Sequence, residues 1–320
     1  MRKLLVIALL AALLIPVFAD DGTVLPAGVF RARVIPAFGW MPGSYDKDGK
    51  YTTFPNNAYN MPNGAVTTPN LGFSLEYGIN DWVTLGFQWA PGLTFSSNIP
   101  VPTGWPYYST ANINGLSDLF AGVMVQIVGP KAPVVSDVIR FDLTPGVKIP
   151  LSPIDLTTQS GSTQTTRNVD TPAFGIGGRA YLDYIFSPSF FIDLYTQFID
   201  YPSTVDGKYY SSSDAGTAVG YGYDLRIELD PHYTMPLSDA LTLSANCAFR
   251  YDSAPDVTLG GTAQSDTHWI LFSANPSVSV FFTKMVVPFE LQLDYGQPLY
   301  GINAAAAYSL DLQAKVYFKL

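Results

Sequence analysis

Side chains able to act as a base or nucleophile are scarce in this 320-residue chain, which has two histidines, His232 and His268, and one cysteine, Cys247. A serine or cysteine nucleophile needs a base within hydrogen-bond reach, and no serine–histidine spacing suggestive of such a pair surrounds either imidazole. His232 continues the run Asp224, Arg226, Glu228, Asp230 and reads as a polar wall residue. His268 stands beside Trp269 in an apolar phase and reads as interfacial, while Cys247 shares the phase of Leu243, Ala245 and Phe249 and reads as an inert apolar residue. One cysteine closes no intramolecular disulfide. No phosphate-cradling loop, zinc spacing or calcium loop occurs, so neither enzymatic activity, cofactor nor metal is expected. What remains chemically suggestive is charge at every second position: Arg31 and Arg33; Arg140, Asp142 and Lys148; Arg179 and Asp183; Asp224, Arg226, Glu228 and Asp230; Glu290 and Asp294; Asp311, Lys315 and Lys319.

A spacing of two puts these charges on one face of a strand, and the intervening positions are apolar or aromatic. The pair 71–77 and 83–89 shows the rule. Leu71, Phe73, Leu75, Tyr77, Val83, Leu85, Phe87 and Trp89 share one phase, while Asn70, Gly72, Ser74, Glu76, Thr84, Gly86 and Gln88 take the other, with a tight turn at 78–81 between them. The same alternation recurs near 29–39, 118–128, 138–149, 173–186, 190–199, 221–235, 241–251, 267–282, 286–295 and 304–320, which makes about twelve strands, with fourteen as the alternative.

Composition says what these strands face. Charged residues are only 13% of the chain and aromatics reach 14%, so something other than water must cover much of the surface. The first residues, with Arg2 and Lys3 before the apolar run Leu4 to Leu14 and Val17-Phe18-Ala19 before Asp20, form a signal peptide over 1–19, leaving 20–320 as the mature chain. After Ala19 no apolar run approaches the roughly 18 to 20 residues of a membrane helix. A closed antiparallel transmembrane β-barrel is then the spanning solution, because a sheet in hydrocarbon must pair every backbone group and only closure removes its edges. Short connections at 78–81, 129–137, 187–189, 236–240 and 283–285 alternate with mostly long ones at 41–69, 91–117, 150–172, 200–220 and 252–266, only 296–303 being brief, the pattern of a bacterial outer-membrane barrel with both termini in the periplasm. Tyr77, Trp82, Tyr184, Phe186, Phe190, Phe281 and Phe282 near strand ends read as an interfacial girdle. A soluble β-sandwich would share the alternation, but the signal peptide and the alternating connection lengths together weigh against it.

On this reading Arg31, Arg33, Arg140, Asp142, Arg179, Asp224, Arg226, Glu228 and Asp230 line the lumen. They form either a charged constriction that filters solutes or an ion-pair network that partly closes the barrel. The loop 91–117 holds many apolar and aromatic residues and no charge; Phe95, Trp105, Tyr107 and Tyr108 are its candidate ligand-binding residues. Loops packing on one another over the mouth would look the same. The formal charge of −9 becomes −11 once Arg2 and Lys3 are removed, which argues against nucleic acid as a partner. Outer-membrane lipid, the barrel-assembly machinery and a small hydrophobic ligand are the partners expected; the terminal Leu320, with Phe318 two before it, departs from the aromatic last residue usual in assembly signals.

The stretches Leu75-Glu76-Tyr77-Gly78-Ile79-Asn80-Asp81-Trp82-Val83-Thr84-Leu85-Gly86 and Gly115-Leu116-Ser117-Asp118-Leu119-Phe120-Ala121-Gly122 resemble a hairpin and a strand entry of outer-membrane transporters related to the FadL-type fatty acid channel and the aromatic-compound (phenol meta-pathway) channels. The resemblance implies passive uptake of small hydrophobic molecules, captured by external loops and released through or beside the lumen. The chain departs from the fatty acid channel in being shorter and in having about eight residues before the first strand, too few for that family's N-terminal plug. A general porin, or a structural or surface-interaction barrel with a closed lumen, is the other reading.

Overall fold

The computed structural model describes residues 23–53, 66–104, 107–151, 171–207 and 214–319, without the side chains of 96–104 and 107–114. Twelve long strands follow one another around a closed antiparallel barrel. They are β1 (Val29–Met41), β2 (Val66–Asn80), β3 (Val83–Gly104), β4 (Leu119–Gly129), β5 (Ile139–Ile149) and β6 (Gly175–Ser187). The circuit continues with β7 (Phe190–Tyr201), β8 (Gly222–Ser238), β9 (Leu241–Ala254), β10 (Trp269–Phe282), β11 (Phe289–Ile302) and β12 (Tyr308–Lys319). Closure is made by β12 on β1, from Val29 opposite Lys319 to Trp40 opposite Tyr308. Every strand of the ring therefore has two partners, which removes the open edge that hydrocarbon forbids.

The alternation sorts side chains between lipid and lumen. Phe73, Leu75, Phe87, Leu143, Leu182, Leu194, Leu229, Phe249, Leu291, Leu293 and Leu312 stand exposed on the outside, while Ser74, Thr84, Arg140, Asp183, Asp193, Asp230 and Glu290 are buried inside. An exposed aliphatic surface of this extent is stable only against acyl chains, and it marks the membrane-spanning belt. The end that carries the termini and the tight turns is called the inner end here, and the end with the long connections the outer end.

The connections depart from the sequence expectation in three places. The segment 91–117, read as a loop, is an antiparallel ribbon: β3 runs on to Gly104 and pairs with Tyr107–Leu116 outside the ring. The brief connection expected at 296–303 is shorter still, since β11 extends to Ile302. The turn 129–137 contains Val134–Val135, which pairs in parallel with Val128 and Gly129. Small outer-end sheets join Gly43–Tyr45 to Tyr51–Thr53, and Val205–Asp206 and Ala218–Gly220 to Thr258–Leu259 and Thr262–Ala263. The segment 1–19, read as a signal peptide, lies outside the described residues.

Candidate functional site

Toward its inner end the lumen is crowded with buried charged and polar side chains. Arg31 and Arg33 on β1 converge on Glu76 of β2, with Arg33 Nη2 donating to Glu76 Oε1 at 3.0 Å. Next to them Lys315 Nζ of β12 lies 3.3 Å from Glu290 Oε1 of β11 and donates to Gln292 Oε1 at 2.6 Å, while the Tyr317 hydroxyl donates to Glu290 Oε2 at 3.2 Å. Across the barrel Arg140 Nε meets Asp183 Oδ2 at 2.5 Å, and its guanidinium lies 4.9 Å from the ring of Phe191. Phe191 in turn stacks on the His232 imidazole at 4.4 Å, and His232 Nε2 is 3.0 Å from Asp230 Oδ2, which also accepts from Asn246 Nδ2 at 2.6 Å. Gln126 Nε2 reaches Asp142 Oδ2 at 3.5 Å. These groups are nearly all withdrawn from solvent, and charges so placed persist only when each is matched by an opposite charge or a hydrogen-bond donor or acceptor.

The segment before β1 completes this floor, which the sequence expectation of too short a leader did not provide for. Val24 forms a buried cluster with Met124 and Tyr181, against which Tyr195 packs, and the Leu25 amide donates to Thr84 Oγ1 at 2.8 Å. Gly78 makes the entry possible, because a Cβ there would meet the Pro26 carbonyl oxygen at 2.2 Å. The strap is fixed to the same turn by Gly28 N donating to Gly78 O at 2.8 Å and Ala27 N to Asp81 Oδ1 at 3.2 Å.

Above the floor the barrel opens into a cavity of about 650 Å³. Its two sides differ. The β1–β3 side contributes Ile35, Ala37, Asn70, Gln88, Ala90 and Pro91, none of them charged; the opposite side carries Asp193, Asp224, Arg226, Glu228, Asp230, Arg250 and Asp252 on β7–β9. Phe120, Tyr181, Tyr195 and Trp269 add aromatic surface. The charges are cross-linked, with Arg226 Nε to Asp252 Oδ1 at 2.6 Å, Arg250 Nε to Glu228 Oε1 at 2.8 Å, and Lys148 Nζ between Asp118 at 3.2 Å and Asp224 at 3.6 Å. Tyr201 receives a bond from Lys148 Nζ at 2.9 Å and donates to Asp224. With Asp118 and Asp311, seven acids face four bases, so the ionised cavity has a net negative charge.

The residues singled out from sequence fall into separate groups. Arg31, Arg33, Arg140, Asp142 and Asp230 belong to the packed floor, while Arg179, Asp224, Arg226 and Glu228 face the outer cavity, with Asp230 reaching both. Phe95 is exposed on the ribbon that extends β3; Trp105 and the side chains of Tyr107 and Tyr108 lie outside the described residues. His268 stands just before β10, and its amide donates to Asp256 Oδ1 at 2.6 Å with Nδ1 3.2 Å from the same oxygen. The bonds from the His268 and Thr267 amides hold the Asp256 carboxyl below its usual range against a smaller opposing effect of burial. Sequence reasoning missed Val24 and Leu25, whose burial inside a barrel has no local periodic signal, and it missed Phe120, an aromatic in the lumen phase.

No protein-family model matches the chain, and no curated protein sequence matches it. Among solved structures it is similar to the COG4313 outer membrane channel from Pseudomonas putida F1, at 16% identity with a TM-score of 0.65, covering 94% of this chain and 100% of that one. It is more distantly similar to a FadL homologue of Pseudomonas aeruginosa, at 11% identity and a TM-score of 0.38 over 91% of this chain and 90% of that one. The first of these shows a shared barrel fold.

Proposed function

We propose that the chain is a passive channel of the bacterial outer membrane for small hydrophobic or amphipathic molecules. The observation that carries this reading is the cavity of about 650 Å³ above the floor, large enough for a small ligand, with one uncharged side on β1–β3 and four aromatic rings elsewhere in its wall. Phe95, Trp105, Tyr107 and Tyr108, in the charge-free stretch 91–117 that begins at the cavity-lining Pro91, are the residues we take as the first contact for a flat ring or an alkyl chain. The COG4313 protein with the same fold is described as an outer membrane channel, which supports the reading. Lipid around the belt and the barrel-assembly machinery are the partners such a barrel requires.

The test is uptake in proteoliposomes or in cells lacking other channels. Replacing Phe95, Trp105, Tyr107 and Tyr108 together by Ser should slow entry of a fatty acid or an aromatic compound and leave a small sugar unaffected. Equal slowing of both solutes, or of neither, defeats the reading. The packed floor favours one competitor, a closed barrel whose loops form an interaction surface, and that competitor takes up neither class of solute.

A further inference from the structure

The enclosed space of the barrel is divided in two. Beneath the outer cavity lies a second chamber of about 40 Å³, and Gln88, Phe120, Arg179 and Tyr181 line both. These four residues are therefore the partition. Arg179 closes it: from β6 its Nη1 reaches past β5 and β4 to donate to Gln88 Oε1 on β3 at 2.6 Å, and its Nε donates to Gln197 Oε1 on β7 at 3.0 Å. Its guanidinium lies 3.9 Å from the centre of the Phe120 ring, the stacked arrangement that a planar cation adopts on an aromatic face.

A row of glycines makes this crossing possible. Gly86 is register partner of Gly122, Gly122 of Gly146, and Gly146 of Gly177, so four neighbouring strands present no side chain at one level of the lumen wall. Phe120 lies in the resulting trough; a Cβ would come within 2.5 Å of its ring at Gly146 and 3.0 Å at Gly122. Arg179 rests on that ring. The chamber below has polar groups to offer water, since Ser74 Oγ and Thr144 Oγ1, in residues more than nine-tenths buried, line it without a protein hydrogen-bond partner. A polar space of this size accommodates about two water molecules. Its lining residues Thr84, Met124 and Tyr181 are also the ones that Leu25 and Val24 contact, so the chamber adjoins the strap before β1.

We propose that Arg179 is the selectivity latch of the conduction path, a charged bar between an aqueous outer cavity and an aqueous inner chamber, held by two neutral acceptors and an aromatic bed. Neutral glutamine acceptors hold a guanidinium more weakly than a carboxylate would, so the bar can swing without leaving an unpaired acid behind. The proposal rests on the channel reading above. It assigns Arg179 two separable effects, obstruction by the extended guanidinium and a positive charge at the partition between the two spaces.

Planar-bilayer recordings of the full chain in a potassium chloride gradient separate the two effects. Arg179→Ala should raise unitary conductance several-fold and shift the reversal potential toward that of potassium. Arg179→Lys, which keeps the charge and loses the fork and the stacking, should raise conductance with little shift, as should Gln88→Ala, which leaves the charge and frees one end of the bar. A merely structural role would not split conductance from selectivity in this way. Heat-modifiable migration on gels reports assembly; if Arg179→Ala does not assemble, Arg179→Lys and Gln88→Ala carry the test. Assembled variants with wild-type conductance and reversal potential overturn the latch. If the wild type takes up hydrophobic probes and the variants are unchanged, the latch falls and the channel stands. If the variants open a potassium current while neither they nor the wild type admit hydrophobic probes, the latch stands and the hydrophobic-uptake reading falls.

Discussion

Lys315→Met should be among the most destabilising single changes in this barrel, and a second mutation of its partner should reverse most of the damage. Two ion pairs of nearly equal length make the argument. Lys315 Nζ is 3.3 Å from Glu290 Oε1 with side chains 1% and 0% exposed, whereas Lys284 Nζ is 3.4 Å from Asp239 Oδ2 with side chains 50% and 93% exposed. Geometry is the same; the solvent is not. The exposed pair is screened and contributes about 0–1 kcal/mol. Removing one member of the buried pair strands a carboxylate away from water, at a cost of about 3–5 kcal/mol. Arg33 is the register neighbour of Lys315 and offsets part of the stranded charge, which places the expected loss near the lower end, about 3 kcal/mol. In Glu290→Leu/Lys315→Met no charge is stranded, but Gln292 loses a donor and Tyr317 an acceptor, at about 1 kcal/mol each. The double variant should thus be more stable than either single one. Reversible urea unfolding of the barrel folded in lipid vesicles, followed by tryptophan fluorescence, gives all four corners of the cycle. Additive losses, or a loss for Lys315→Met no larger than for Lys284→Ala, would refute the claim that burial sets the magnitude.

Two further outcomes are expected. Leu229→Arg places a charge against lipid near mid-strand, at a side chain 49% exposed, and should cost about 2–4 kcal/mol of stability in bilayers; Ser244→Arg, whose side chain faces Thr234 Oγ1 inside the barrel, should cost less, and equal folding yields would invalidate the assigned faces. Asp256, outside the spanning strands, has a depressed pKa, so the order it gives the β9–β10 connection is present above its unfolded value and disappears as pH falls through its folded one. Protection of the Thr267 and His268 amides, relative to their intrinsic exchange rates, should fall as Asp256 is protonated in acid, and Asp256→Asn should remove that pH dependence; amides equally protected in both proteins at every pH would rule it out.

The barrel was legible because hydrocarbon leaves a sequence little freedom. A strand with lipid outside and charge inside must alternate at period two, and Asp224 to Asp230 or Asp311 to Lys319 could be phased from residue types alone. The ribbon beyond Pro91 was not legible, because Pro100, Pro102 and Gly104 argue for a loop and only the pairing of Ile99 with Ala111 and Val101 with Ser109 makes it strand. The divided lumen was hidden for a different reason. Each of Gly86, Gly122, Gly146 and Gly177 is unremarkable in its own strand; the trough exists only once register sets them side by side, and it is the trough that admits Phe120 and brings Arg179 within reach of Gln88. The phase rule assigned Arg179 to the lumen but could not give its depth or partner, because period two fixes which face a side chain takes and register alone fixes what it meets. In a closed barrel, membership of the lumen is local information and the obstruction within it is not, so the residues that decide passage are found where several strands are compared at one level.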